Sequence, residues 1–351
     1  MEQLRWGVIG TGGIAADFCE ALKRSQRCRV VNIAGSSPSK ARAFAERFGL
    51  AGWSDGVPHL LADRAVDAVY IATPHPLHEP HALSCIEAGK HVLCEKPLTV
   101  DEPGAARVLA AAKRRGIFVM EAFMYRCHPL LRELLSRLQD GAIGAIRHVR
   151  ADFGFRVARM PDHRLFNVSL GGGSILDVGG YPVSFARLIA GVVEGTPFAE
   201  PTGLTATGLI GPTGTDELAT AQLEFRSGLT ASVTSAIYYD VGTTAVVFGE
   251  HGKIVLPDPW IPGSRRQGLV TELTVFRDGH NPEHVTVRTD LATYAIQAEL
   301  VRDTLPAIEA AWPAMSHADT LGNMRVLDSW QALIHRGRNG YTSSTMPLAL
   351  T

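Results

Sequence analysis

A lysine set between a carboxylate and a proline, Glu95-Lys96-Pro97, closes the short apolar run Val92-Leu93-Cys94. A run of that length and character suits a strand buried on both faces. Glu87-Ala88-Gly89-Lys90 before it reads as a helix end with its glycine stop. Pro97 lacks the N–H that a central ladder needs, so the strand stops with Lys96 at its carboxyl edge. Open parallel sheets bind their ligands outside that edge. An ammonium held there beside a carboxylate suits charge stabilisation or proton work. A generic Glu-Lys pair at a strand end would instead be a surface salt bridge.

A second chemical group lies in Leu170-Gly171-Gly172-Gly173-Ser174-Ile175-Leu176-Asp177-Val178-Gly179-Gly180-Tyr181-Pro182. The three glycines let the backbone come close to something. A helical continuation puts Asp177 and Tyr181 on one face at i, i+4. Pro182 works against a straight helix, because it removes a bond to residue 178, and predicts a kink. Tyr181 on spacing alone fits a core tyrosine with a satisfied hydroxyl equally well.

What tips the first group towards catalysis is the start of the chain. The strand Leu4–Ile9 leads into Gly10-Thr11-Gly12-Gly13-Ile14-Ala15 and then a helical pattern. This is Gly-x-Gly-x-x-Ala, the Ala variant of the dinucleotide fingerprint. Gly10 permits the tight turn, Gly12 admits a pyrophosphate, and Ala15 allows close helix–strand packing. The helix N-terminus faces the phosphates, which makes Gly10, Thr11, Gly12, Gly13 and Ile14 cofactor-binding candidates. The second strand, 29–34, ends at Gly35-Ser36-Ser37-Pro38-Ser39-Lys40 rather than at a carboxylate. Two hydroxyls and the Lys40 ammonium suit a ribose 2′-phosphate, which favours NADP over NAD. The same stretch also reads as a serine-rich turn with a solvated lysine. A later strand, 67–72, ends in Thr73-Pro74-His75-Pro76-Leu77-His78, a loop beside the cofactor. His75, His78 and His81 recur every three residues, but prolines break the interval and no nearby Asp or Cys completes a metal site.

These groups need an α/β frame. About six strands alternate with helices over some 120 residues, with a weak third strand near Gly52-Trp53 and a capping box at Thr99-Val100-Asp101-Glu102. That pattern is an N-terminal Rossmann dinucleotide-binding domain, residues 1–122. Residues 123–351 form a C-terminal α+β domain on a large, mostly antiparallel sheet, from strands spaced between 202 and 288. Two helices close the chain. One runs over 294–311 with Pro306 inside it; the other over 317–335, with Ser316 and Asp319 as a capping box and Gly337 as its stop.

Formal net charge is −1 with 20% charged residues, which gives no electrostatic footprint for nucleic acid or an anionic membrane. No apolar run approaches the roughly 20 residues of a membrane helix, and no secretory signal opens the chain. Five scattered cysteines without a Cys-x-x-Cys fit reduced thiols in a cytoplasm.

Taken together the motifs resemble the glucose–fructose oxidoreductase / inositol dehydrogenase (GFO/IDH/MocA) family. The likeness runs through Gly10–Ala15, Ala72-Thr73-Pro74 with His78, Ala88-Gly89-Lys90-His91-Val92 into Glu95-Lys96-Pro97, Glu121-Ala122-Phe123, and Gly171-Gly172-Gly173 through Asp177 and Tyr181. Tyrosine at 181 and the stretch 121–129 look more like the glucose–fructose oxidoreductase, xylose dehydrogenase and dihydrodiol dehydrogenase branch than the inositol dehydrogenases. The resemblance implies a nicotinamide-dependent oxidoreductase acting on a sugar, polyol or cyclic diol, and a homodimer or homotetramer formed through the second domain's sheet. Its implied site gives Tyr181 the proton transfer, Lys96 the reacting oxygen and Asp177 an orienting role. Glu95, Thr73, Pro74 and His78 line the nicotinamide end, and Tyr125, Arg126, Arg164 and Asn167 are substrate contacts. NADP(H) is the favoured cofactor, with NAD(H) open. A non-catalytic NADP-binding sensor and an enzyme cycling a tightly held cofactor between two substrates are the other readings.

Overall fold

A computed structural model describes residues 3–263, 269–335 and 344–347. The chain forms two compact units. The first takes Met1–His128 together with Asp290–Thr320; the second takes Pro129–Pro262, the segment that ends at Thr289, and the chain from Leu321. A division after residue 122 is the sequence expectation; the first unit runs six residues further and takes back a later segment.

In the first unit the chain runs β1 (Leu4–Ile9), α1 (Gly13–Leu22), β2 (Cys28–Ala34), α2 (Pro38–Phe48), α3 (Val57–Ala62), β3 (Ala68–Ile71), α4 (His78–Glu87), β4 (His91–Cys94), α5 (Glu102–Arg115) and β5 (Val119–Glu121). All five strands are parallel, in the order β2-β1-β3-β4-β5. The central strands are buried on both faces, as their continuous apolar runs require. Because the strands are parallel, their carboxyl ends share one edge. The winding reverses on either side of β1, so the ligand-binding switch point lies between the ends of β1 and β3.

Two expectations for this unit are corrected. The sheet has five strands, not six: Ser54 alone makes an isolated bridge to Ala34, Trp53 is exposed, and bends at Asp55 and Gly56 lead at once into α3. The cap of α5 is Asp101, not Thr99. Asp101 Oδ1 accepts the Gly104 N–H at 2.8 Å, while the Thr99 hydroxyl donates to the Asp101 carbonyl. Pro103 falls in the first turn, where its missing N–H costs nothing.

The second unit opens with α6 (Pro129–Gln139) and β6 (Ile146–Gly154). A π-turn, Ile175–Gly179, then runs into α7 (Gly180–Glu194). The strands β7 (Gly203–Ile210), β8 (Asp216–Glu224), β9 (Thr230–Ala236), β10 (Ala245–Gly249), β11 (Gly252–Leu256), β12 (Val270–Arg277) and β13 (Glu283–Arg288) follow. The chain closes with α8 (Thr293–Thr304), α9 (His317–His335) and β14 (Ser344–Pro347). Nine strands make one sheet, β13-β12-β11-β10-β6-β9-β8-β7-β14, antiparallel throughout except for the parallel pair β6/β9. β13 alternates half-buried and exposed residues, the signature of a sheet with one wet face. α7 packs on β6 and β9. Val168–Glu194 is long and apolar enough to pass for a membrane span by length and composition alone, but 94% of its apolar window is buried inside the protein. It is the core helix of this unit.

α8 is also shorter than expected. It stops at Thr304 because Leu305, ahead of Pro306, is extended at φ −62° and ψ 137°. α8 packs on α1, where Tyr294 meets Phe18 edge-on and Glu299 accepts the Ser25 hydroxyl at 2.6 Å. That packing is why the segment belongs to the first unit. Ser316 Oγ accepts the Asp319 N–H at 3.2 Å at the start of α9. Gly337 lies outside the described residues.

Candidate active site

The fingerprint turn contains glycines of two kinds. Gly10 sits at φ +116°, gives its N–H to Ala34 O at 2.8 Å, and would put a Cβ 2.5 Å from Ala72 O at the end of β3. The chain itself demands that glycine. Gly12 is at φ −80°, and a Cβ at Gly12 or Gly13 would meet nothing within 4 Å. No protein atom asks for glycine at these two positions. The open space lies over the start of α1, which has no side-chain cap and no acidic residue in its first turn. Free N–H groups and the positive dipole end face that space, and a pyrophosphate fits it. Thr11 packs its methyl on Gly35, Ala15 is fully buried, and Ile14 is exposed.

At the end of β2, Ser37 Oγ accepts the Lys40 N–H at 3.3 Å and caps α2. Ser36 Oγ accepts from Lys40 Nζ at 3.2 Å. Ser36 and Lys40 are exposed, so a hydroxyl and an ammonium stand together where a carboxylate would exclude a 2′-phosphate.

Lys96, half-buried, follows the end of β4, and its peptide bond to Pro97 is cis. Glu95 turns inward: its N–H reaches Ile71 O at 2.9 Å and its Oε1 accepts the Tyr70 hydroxyl. Tyr70 stacks on Phe18 with centroids 3.9 Å apart. Burial, with Glu95 and Asp17 adding, pushes the Tyr294 hydroxyl well above its ordinary range. His78 is fully buried, with Nδ1 2.7 Å from Pro97 O and Nε2 2.8 Å from Thr73 O. Burial outweighs both carbonyls and brings its pKa down to about 4, so the ring is neutral at pH 7. The neutral ring donates its one N–H to one of these carbonyls and packs against the other, between the Thr73-Pro74 loop and the turn that carries Lys96. Thr73 Oγ1 lies 3.3 Å from His81 Nδ1. Among the described residues no three His, Cys, Asp or Glu side chains converge as a metal site.

Sequence reasoning missed Glu121. It ends β5 level with Cys94, is 2% exposed, and accepts the Leu98 N–H on Oε1 at 2.9 Å. Burial pushes its carboxyl up to about 7; the Leu98 N–H, Thr320 and Lys96 act the other way, and Asp319 adds to the rise. Tyr125 and Arg126 are both buried. The Arg126 guanidinium reaches Asp319 at 2.7 Å and Pro313 O at 2.6 Å, so it pins the start of α9 inside the first unit.

In the second unit the glycines near 172 allow the close approach that their spacing suggests. A Cβ at Gly172 would lie 2.7–2.8 Å from the carbonyls of Arg164, Leu165 and Asn167. What comes close is the chain's own backbone. Gly173, at φ +118°, sits against Asp216. Asp216 Oδ2 accepts the Ser174 hydroxyl and the Ile175 N–H, each at 2.7 Å, and Ser174 Oγ lies 2.9 Å from Ser235 Oγ. Burial pushes the Asp216 carboxyl up to about 6 against these hydrogen bonds. This second buried carboxylate, also unforeseen, anchors the π-turn. Pro182 has no N–H to give residue 178, and the wider turn lies immediately before it, where the sequence predicts a kink.

Asp177 is 3% exposed and its Oδ1 accepts from Arg164 Nη1 at 2.8 Å. Arg164 itself is largely exposed, and Asn167 Oδ1 accepts the Ser169 N–H and hydroxyl. The Tyr181 ring is 2% exposed and meets Phe153 edge-on at 5.2 Å, in a cluster with Trp260 and Phe185.

Comparison with known proteins agrees with this fold. Residues 4–123 match the model of an oxidoreductase family with an NAD-binding Rossmann fold, and residues 131–255 match the GFO/IDH/MocA C-terminal domain. Trans-1,2-dihydrobenzene-1,2-diol dehydrogenase of Mus musculus is 35% identical over 261 residues, which is 74% of this chain and 76% of that one. A 3-ketoreductase from Actinomadura kijaniata, solved with NADP and TDP-benzene, superposes with a TM-score of 0.81 at 28% identity, covering 94% of this chain and 98% of that one. That ketoreductase has also been solved with a lysine replaced by alanine and with a tyrosine replaced by phenylalanine. An aldose-aldose oxidoreductase from Caulobacter crescentus shares the fold at TM-score 0.84 and 24% identity, over 99% of this chain and 100% of that one.

Proposed function

This chain belongs to the GFO/IDH/MocA family of NAD(P)-dependent oxidoreductases, and from that premise we propose that it moves a hydride between NADP(H) and a carbon–oxygen centre of a sugar, sugar-derived polyol or cyclic diol. The observation that carries the reading is the pairing of two features on one sheet edge. Lys96 stands at the carboxyl end of β4, and the turn after β1 holds two glycines at which an added Cβ would meet no protein atom. The diol dehydrogenase and ketoreductase relatives supply the substrate class.

The nicotinamide, when bound, supplies the hydride acceptor or donor. The turn at Gly12 and Gly13 and the N-terminus of α1 hold its pyrophosphate, and Ser36 with Lys40 takes a 2′-phosphate; NAD(H) is the weaker ligand. The Thr73-Pro74 loop, Glu95 and Lys96 border the nicotinamide end. Tyr181 exchanges the proton of the reacting oxygen. Lys96 holds the reacting oxygen. Asp177, fixed by Arg164, orients the substrate, and Arg164, Asn167 and Tyr125 meet its other hydroxyls. The protein works in the cytoplasm as a homodimer or homotetramer joined through the nine-stranded sheet.

The test is a screen of aldoses, ketoses, cyclitols and cyclic diols with both cofactors, followed through nicotinamide absorbance. Lys96→Ala should lower kcat at least about 100-fold while NADP binding persists. Tyr181→Phe should cost a similar factor. Near-normal turnover in Lys96→Ala sinks the assignment; near-normal turnover in Tyr181→Phe alone passes the proton to Lys96.

A further inference from the structure

We propose that Arg159 is a positioning residue: paired with Glu217, it holds the turn that aims Arg164 at the substrate. This rests on the reading of Arg164 as a group that meets a substrate hydroxyl. Arg159 Nε and Nη2 donate to Glu217 Oε1 and Oε2, each at 2.6 Å. A guanidinium that takes both carboxylate oxygens at once fixes a direction as well as a distance. Glu217 is 1% exposed, and the Arg159 guanidinium lies 4.2 Å from the centre of the Tyr238 ring.

The backbone places the carboxylate for this pairing. Across β7 and β8, Leu209 faces Leu218 and Ile210 faces Asp216, so Glu217 is the extra residue of a bulge. A bulge re-aims one side chain out of the ladder. A Cβ at Gly211, just after β7, would collide with the Glu217 carboxylate. Asp216, one residue earlier, holds the π-turn through the Ser174 hydroxyl and the Ile175 N–H. The start of β8 therefore anchors the segment of Asp177 and Tyr181 through one carboxylate and the segment of Arg159 and Arg164 through the next.

From Arg159 the chain reaches Arg164 through closed turns. The His163 N–H bonds Met160 O, and the Phe166 N–H bonds His163 O, each at 2.9 Å. Leu165 and Phe166 are buried against Ile237, with Phe155, Val157 and Tyr238 around them, so the segment keeps its place in the fold without the ion pair. Arg164 Nη1 is given to Asp177, and 46% of the Arg164 side chain is exposed. What the Arg159 fork adds is the approach of the turn from its N-terminal side, and with it the direction of the exposed guanidinium.

The experiment has two arms on the full chain. In the first, trypsin cleavage after Arg156, Arg159 and Arg164 is followed by peptide mass spectrometry. Glu217→Gln should speed it at least about tenfold while cleavage elsewhere in the chain keeps its rate. Equal rates overturn the proposal. Should Glu217→Gln fail to fold by circular dichroism, Arg159→Ala carries the same comparison through cleavage after Arg156 and Arg164. In the second, D-xylose and trans-cyclohexane-1,2-diol serve as the aldose and cyclic-diol probes with NADP. Arg159→Ala should raise KM about tenfold with kcat within about twofold of wild type, the mark of lost substrate positioning. Arg159→Lys keeps the charge without the fork and should fall between the two. In an Arg164→Ala background, Arg159→Ala should add nothing further to KM. An unchanged KM, or a rise that adds in full to that of Arg164→Ala, overturns the proposal. If wild type oxidises neither probe, it is the functional reading that fails for them, and the trypsin arm still decides whether the pair holds the turn.

Discussion

Gly10 and Gly12 stand two residues apart and need to be glycine for opposite reasons. At Gly10 the left-handed backbone and the Ala72 carbonyl leave no place for a Cβ. Gly10→Ala should therefore cost about 2–4 kcal/mol of stability, through strain and a backbone clash. At Gly12 the backbone is ordinary and the space is open, so alanine should leave stability within about 0.5 kcal/mol. Its methyl would instead stand where a pyrophosphate must approach. The dissociation constant for NADP should rise at least about tenfold, or about 1.4 kcal/mol. Thermal melts of both variants with and without NADP separate the effects. Unchanged NADP affinity in Gly12→Ala would remove the phosphate-binding role from this turn.

At the scale of elements, the turn after Lys96 and the π-turn before Tyr181 are each held by a carboxylate from elsewhere in the chain. The π-turn is tied to β8 through Asp216, whose carboxyl is pushed up to about 6 from the ordinary 3.8. A carboxyl raised in the folded state keeps its proton where the unfolded chain loses it. Its stabilising contribution is whole below about pH 3.8 and disappears as pH rises through 6. Asp216→Asn has no such ionisation. Wild type should lose roughly 3 kcal/mol relative to the variant between pH 3.5 and 7, read from urea midpoints. A constant difference across that range would mean the carboxyl is not perturbed. The same examples show what a linear sequence can tell. Strand ends, the fingerprint turn and the stop at Pro97 are local chemistry, and they were legible. The strand near Gly52 was overread because a glycine and an exposed tryptophan look like a strand start until their neighbours turn. The glycines at 171–173 marked a close approach, but sequence cannot reveal that what approaches is residues 164–167 folded back onto them. Glu121, Asp216 and the Arg126–Asp319 pair owe their roles to partners 23, 41 and 193 residues away, and no local spacing marks such pairs.

For the molecule as a whole, the five cysteines offer a measure that needs no substrate. All are reduced and buried, and all lie in the first unit. Burial pushes the thiols of Cys19 and Cys85 up to about 12 and that of Cys28 to about 11, and it raises Cys94 as well. A thiol reagent attacks the thiolate, so burial and a raised pKa both withhold reaction until the unit opens. NADP binds only the folded unit, which makes opening scarcer by the factor 1 + [NADP]/Kd. At 100 times Kd the slow labelling of all five thiols should fall about 100-fold together. A cysteine that reacts at the same rate with and without NADP would be exposed by local fraying, and its element would not share the unit's cooperativity. The same factor, measured with NAD at equal concentration, reads the cofactor preference proposed for Ser36 and Lys40 directly as a ratio of two dissociation constants. Equal protection by the two dinucleotides would show that the hydroxyl and ammonium at the end of β2 do not discriminate.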